Sequence, residues 1–141
     1  MTNVRSFQLS DYAPLTSLLQ NELSTTCYEE TFEAFGRQLS WDSELVLVAL
    51  VQNQVVGVII GTIDDNKGYY YRIAVASSHR SRGVGRTLIQ GLKKRFEQRK
   101  VSRVLITMDD YNAPIQPFYE SLGYRPVDFH SSKKLSIVVG N

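Results

Sequence analysis

Residues 71 to 92 read YRIAVASSHRSRGVGRTLIQGL, an apolar run that breaks into a basic, glycine-containing loop and then into an amphipathic stretch. Tyr71, Ile73 and Val75 alternate with Arg72 and Ala74, the period of a half-buried strand. Beyond the loop, Val84, Leu88, Leu92 and Phe96 recur every four residues with Ile89 widening the stripe, while Lys93, Lys94, Arg95, Glu97, Arg99 and Lys100 fall elsewhere. That spacing predicts a helix. Gly83 and Gly85 permit a tight turn and let a ligand approach bare backbone. The first helical turn offers unpaired N–H groups at the positive end of the dipole, and Arg80, Arg82 and Arg86 add fixed charges whose planar donors suit phosphate oxygens. The stretch reads as a phosphate cradle; the plainer alternative is a strand-to-helix turn with a solvated basic rim.

Two common phosphate loops do not fit it. A dinucleotide fingerprint counted from Gly83 places Leu88 at its third glycine, and a nucleoside-triphosphate loop needs Gly-Lys-Ser/Thr where the chain has Gly85-Arg86-Thr87. Arg80-Ser81-Arg82-Gly83-Val84-Gly85 instead matches Arg/Gln-x-x-Gly-x-Gly/Ala, and so resembles the coenzyme A loop of the GNAT N-acetyltransferase superfamily. Downstream, Asn112-Ala113-Pro114-Ile115-Gln116-Pro117-Phe118-Tyr119-Glu120-Ser121-Leu122-Gly123-Tyr124 reads locally as a short helix, with proline in its first turn and glycine as its terminator. It also resembles the second signature of the same superfamily, with Asn, Tyr seven residues on, and then Leu-Gly-aromatic. Two motifs in the family's order and spacing weigh far more than either alone.

The resemblance implies a single α+β domain over 1–141: a GNAT-like three-layer α/β/α sandwich with a mixed, largely antiparallel sheet and a splayed parallel strand pair. It implies that acetyl-CoA lies between those strands. The pantetheine is expected on the backbone of Ile73, Ala74 and Val75, and the pyrophosphate on the amides of Arg82, Gly83, Val84, Gly85, Arg86 and Thr87. Arg80, Ser81, Asn112 and Phe118 are also counted on the cofactor side. A backbone amide near Val75 is expected to polarise the thioester carbonyl. Tyr119 is expected to protonate the departing thiolate; packing beside Phe118 is its plainer reading. No metal is expected. The implied partners are acetyl-CoA and an amine acceptor, small molecule or peptide, attacked directly without a covalent enzyme intermediate; a homodimer is left open.

The chain departs from the family pattern in two places. Ser77 stands where many members carry proline, and the positions of an acidic base in some members are occupied by Tyr69 and Thr107. An alkyl ammonium is only roughly one part in a thousand neutral at pH 7, so something must take its proton. Asp109, Asp110, Glu29, Glu30 and a water held by tyrosines are the alternatives, although helix capping also accounts for Asp109 and Asp110. The missing base keeps a second function open, an acetyl-CoA-binding sensor without transferase activity.

The rest of the chain supplies a frame. Val4 to Leu9 reads as a short strand, and Ser10 or Asp11 caps a helix with Leu15, Leu18, Leu19 and Leu23 on one stripe. Thr26-x-x-Glu29 has capping-box spacing for a helix over about 27–39. Glu44 to Val51 and Gln54 to Asp64 are strands joined at Gln52-Asn53, and Asp64 to Gly68 turns into the strand before the cradle. Val101 to Met108 is a fifth strand, parallel to the one ending at Val75 because a helix intervenes, and a pair of strands closes the chain. Tyr28, Phe32, Trp41 and Tyr69 to Tyr71 are suited either to an aromatic acceptor cleft or to core packing.

Composition excludes several classes. A net charge of +2 is too small to make nucleic acid the expected partner, and the Lys93 to Lys100 run reads as the solvated, cation-rich end of a helix. The longest apolar stretch, Val55 to Ile63, is far shorter than a membrane span, so no membrane partner is expected. Cys27 is the single cysteine, and the N-terminal residues lack the apolar core of a signal peptide. The expected setting is cytoplasmic and reducing.

Overall fold

The structure, a computed structural model, describes residues 1–131. Its six strands form one sheet in sequence order. β1 (Thr2–Ser6), β2 (Val46–Val51), β3 (Gln54–Asp64) and β4 (Lys67–Val75) are successively antiparallel. β5 (Arg103–Met108) runs parallel to β4, and β6 (Phe129–Ser131) parallel to β5. The second of the expected closing strands falls outside the described residues.

Local chemistry sets the hairpins. Gln52 and Asn53 have φ of 51° and 63°, and Asp65 and Asn66 of 49° and 62°. Two left-handed residues at a turn match the twist of the flanking strands, and asparagine tolerates that region best after glycine. The parallel pairing of β4 and β5 follows from α3 (Val84–Gln98), which carries the chain back across the sheet.

Helices cover both faces. α1 (Tyr12–Glu22) and α2 (Thr25–Asp42) bury Leu15, Leu19 and Phe35 against Val46, Val48, Val58, Ile60, Tyr71 and Ala74. On the opposite face α3 and the short α4 (Gln116–Ser121) bury Leu88, Leu92, Phe96 and Tyr119 against Leu47, Ile59, Tyr70, Ile73 and Ile106. β2 contributes alternate residues to each core and is buried along nearly its whole length. The layered sandwich expected from the sequence is therefore present. The basic run on α3 is partly tied down, with Arg95 paired to Glu44 and Arg99 to Asp42.

Three local readings change. The cap of α2 is Ser24, whose hydroxyl accepts from the Cys27 amide at 3.2 Å, rather than a Thr26–Glu29 box, and the helix runs on to Asp42. β1 ends at Ser6, because Asp11 folds back to hold Arg5 at 2.7 and 3.0 Å and the Gln8 amide at 2.8 Å. The simple alternation read along β4 also fails, since Gly68 to Ala74 are all buried. The register steps from Ile60 opposite Arg72 to Gly61 opposite Tyr70, so Tyr71 is an extra residue. Such a bulge bends its strand and sharpens the local twist.

Candidate active site

The β4–β5 ladder pairs Lys67 to Tyr70 with Arg103 to Ile106 and stops there, although β4 continues to Val75 and β5 to Met108. The bulge at Tyr71 lies one residue past the last pair, so β4 turns away and the two strands open as a V. A cleft of about 1560 Å³ occupies this opening and extends to the N-terminus of α3. Its phosphate-cradle end includes Arg80, Ser81, Gly83, Val84, Gly85 and Arg86, and Ile73, Val75 and Phe118 line its middle. Cys27, Glu30, Asp109, Asp110 and Tyr111 form the far end.

At the cradle, Gly83 caps α3 with φ of +81° and has nothing within 4 Å of a built Cβ, so its free side is open space. A Cβ on Gly85 would stand 3.0 Å from the Phe118 ring, which packs α4 against the loop. The amides of Val84, Gly85 and Arg86 precede the helix's own ladder, which begins with the Thr87 amide donating to Gly83 O at 3.0 Å. The Thr87 amide thus serves the helix, and its hydroxyl donates to the same carbonyl at 2.9 Å. Arg82 and Arg86 are exposed. Arg80 is engaged, donating to Glu22 at 2.5 Å and through Nε to Val75 O at 3.2 Å.

Asn112, expected on the cofactor side, is built into the frame of the site. Its Nδ2 donates to Tyr71 O at 2.9 Å and to Thr107 O at 2.7 Å, and its Oδ1 accepts from Arg72 at 3.1 Å. With both amide hydrogens committed and 1% exposure, the side chain is a strut between the parting strands rather than a cleft surface. Ala74 likewise points its side chain into the α1–α2 core, leaving only its backbone near the cleft.

Tyr119 is fully buried and is not among the cleft-lining residues. Its ring stacks on Tyr70 at 6.0 Å and meets Phe118, Tyr124 and Phe129 edge-on. Its hydroxyl has no partner among the described residues, and burial pushes its pKa well up while the nearby Arg72 charge works the other way. Buried hydroxyls are seldom left unpaired.

The residue that sequence reasoning missed is Arg72. It is 1% exposed, donating from Nε to Thr31 at 2.9 Å and from Nη1 to both Asp109 oxygens at 3.1 and 2.9 Å. The guanidinium also lies over the Tyr71 and Tyr111 rings at 4.9 and 5.0 Å. Burial works against its charge, but Asp109, with Cys27 and Tyr71 beside it, outweighs burial, so its pKa is raised. The arginine is therefore a permanent cation at the base of the V. Asp109 in turn accepts the Asn112 amide at 2.8 Å, the capping role expected of it. Cys27 borders the cleft with its thiol pKa pushed up by burial, which keeps it a thiol. Tyr28 and Phe32 pack against the α1–α2 core, Trp41 is exposed, and Tyr69 to Tyr71 are buried, so none of them lines the cleft.

The profile of the acetyltransferase (GNAT) family matches residues 13–124, most of the chain, and takes in both the cradle and the Asn112–Tyr124 segment. The chain belongs to the GNAT acetyltransferase family. Solved structures agree on the fold. A PaiA N-acetyltransferase from Thermoplasma acidophilum, in complex with coenzyme A, superposes with a TM-score of 0.72 at 16% identity over 89% of this chain and 90% of that one. A transcriptional regulator from Bacillus halodurans gives 0.70 at 17% identity over 96% and 99%. The ribosomal-protein-S18-alanine N-acetyltransferase from Escherichia coli gives 0.67 at 20% identity over 89% and 78%. At these identities the likeness is one of fold. Among the described residues of this GNAT chain, no helix is long and apolar enough to cross a membrane.

Proposed function

We propose that this GNAT protein transfers an acetyl group from acetyl-CoA to a primary amine by direct attack within a ternary complex. The observation that carries the reading is the opening of β4 and β5 beyond Tyr70 and Ile106 onto the amide-rich start of α3. The pyrophosphate sits on the amides of Arg82 to Arg86, where the helix dipole, Arg82 and Arg86 favour it. The pantetheine arm runs from there along Val75 and Ile73 toward the base of the V, which carries the thioester away from the cradle.

The chemistry is a single exchange of bonds. The neutral amine nitrogen attacks the thioester carbonyl, a C–N bond forms, the C–S bond breaks, the sulfur takes a proton from the Tyr119 hydroxyl, which is buried in the free protein and reached only once the V is occupied, and the proton the nitrogen gives up to solvent restores the phenol. A thiolate of ordinary basicity needs only modest help to leave at neutral pH. Asp109 at the acceptor end is committed to Arg72, and Glu22 at the cradle end to Ser77 and Arg80. Glu30 and Asp110 remain as exposed carboxylates on that wall to draw the ammonium in and relay its proton.

The test is release of free CoA thiol from acetyl-CoA with a panel of amines, here a diamine, an aminoglycoside, a free amino acid and an alanine-initiated peptide, beside a direct measurement of acetyl-CoA binding. Binding together with release above the no-acceptor rate for one class is the expected result. Binding without release from any acceptor would favour the sensor. Gly83→Val supplies a check on the cradle: a β-branched residue at positive φ costs about 1–3 kcal/mol of stability. Its side chain would also cover the amides, so acetyl-CoA affinity is expected to fall by more than about ten-fold through lost charge-assisted bonds. Thermal melts and calorimetric titration measure the two effects.

A further inference from the structure

The free edge of β4 is capped by side chains. Asn112 donates to Tyr71 O at 2.9 Å, the Tyr111 hydroxyl to Ile73 O at 3.4 Å, and Arg80 to Val75 O at 3.2 Å. An open strand edge is a template for pairing, and these caps blunt it. They differ in how firmly they hold. Asn112 is buried between the strands, and Arg80 is also tied to Glu22. The Tyr111 bond is the longest of the three and close to the limit of hydrogen-bond geometry. The ring, in contrast, is held by its face on the Arg72 guanidinium at 5.0 Å. The ring is thus fixed while its hydroxyl is replaceable.

Tyr111 is also the one tyrosine among the described residues that lines the cleft, which Cys27, Glu30 and Asp110 line as well. It approaches the V from the α1–α2 face, where its ring packs on that core, whereas Tyr119 belongs to the core on the α3–α4 face. Two phenols therefore flank the base of the V from opposite sides.

We propose that Tyr111 is a catalytic residue that exchanges partners: its hydroxyl caps Ile73 O in the free protein, yields that carbonyl to an amide of the pantetheine arm, and then accepts an N–H of the attacking amine. This rests on the reading of acetyl-CoA as cosubstrate. From the end of β4 at Val75 back to Tyr71 is about 13 Å of strand, so an arm anchored at the cradle brings its far end to the Tyr111 side of the V. A phenol suits the exchange because it can donate to a carbonyl and accept from an amine. No proton is transferred to it; accepting the N–H turns the nitrogen lone pair toward the thioester carbonyl. Burial raises the Tyr111 pKa against the opposing pull of Arg72, so the neutral phenol is the form present at neutral pH.

The test is Tyr111→Phe, which keeps the ring on Arg72, assayed for acetyl-CoA affinity by calorimetry and for turnover with the diamine and the alanine-initiated peptide as amine probes. The expected result has two parts. Acetyl-CoA binds as in the wild type or up to about five-fold tighter, because a competitor for Ile73 O is gone, and kcat/KM for the amine falls about ten-fold with the loss of one hydrogen bond. Weakened acetyl-CoA binding, or amine kinetics within two-fold of wild type as an approximate bound, would overturn the assignment of Tyr111 while leaving the transferase intact. Absence of acetyl-CoA binding by the wild-type protein would overturn both.

Discussion

Tyr119→Phe is expected to lower kcat by about two orders of magnitude or more, the range of a lost general acid, with the acetyl-CoA dissociation constant unchanged. The substitution removes one oxygen and keeps the ring, so the stack on Tyr70 and the edge contacts to Phe118, Tyr124 and Phe129 survive. The hydroxyl it removes has no partner among the described residues. Deleting an unsatisfied buried hydroxyl relieves a desolvation cost of about 1–3 kcal/mol, so the variant should melt at or above the wild-type temperature. Lost turnover with retained stability would separate an acid from a packing residue. Burial raises the Tyr119 pKa, which keeps the hydroxyl protonated through the neutral range. Unchanged turnover in Tyr119→Phe across pH would remove Tyr119 from the mechanism.

Arg72→Met carries the largest expected effect on stability. Methionine fills similar space but leaves Asp109, whose side chain is 24% exposed, without its cation, and strips partners from Thr31 and the Asn112 carbonyl oxygen. Breaking a buried pair from one side costs about 3–5 kcal/mol, because the remaining charge stays desolvated. For a domain of this size that is a fall in melting temperature of roughly 10–20 °C. Asp109→Asn leaves the Arg72 cation, 1% exposed, without its counter-charge and is expected to cost a comparable amount, eased only by the amide oxygen that still accepts from Arg72 and from the Asn112 amide. Urea unfolding of both variants makes the comparison, and a loss below about 1 kcal/mol in Arg72→Met would show that the network adds little.

The difference between what the sequence disclosed and what it hid lies in the range of the interactions. Turns at Gln52-Asn53 and Asp65-Asn66 are set by adjacent residues, and the helix after Gly83 by its own four-residue stripe, so these were legible. Arg72 was not, because between Tyr71 and Ile73 it occupies what a regular strand would turn toward solvent. Its burial depends on an unpaired residue in the β3–β4 register and on acceptors 37 and 41 positions away, Asp109 and Thr31. The strut role of Asn112 was hidden for the same reason, since the motif records the asparagine and not the carbonyls it bridges. The Thr87 amide belongs to the helix. Counting amides from the glycines included it, whereas the helical ladder starts from Gly83 itself and takes that amide first.

The central claim is that acetyl-CoA occupies the V between β4 and β5, and a crystal structure of the protein grown with CoA tests it most directly. The account predicts the pyrophosphate on the amides of Arg82 to Arg86, the pantetheine arm along Ile73 to Val75, and the Tyr111 hydroxyl moved off Ile73 O. Density for CoA anywhere else, or a V left empty at saturating CoA, would contradict it.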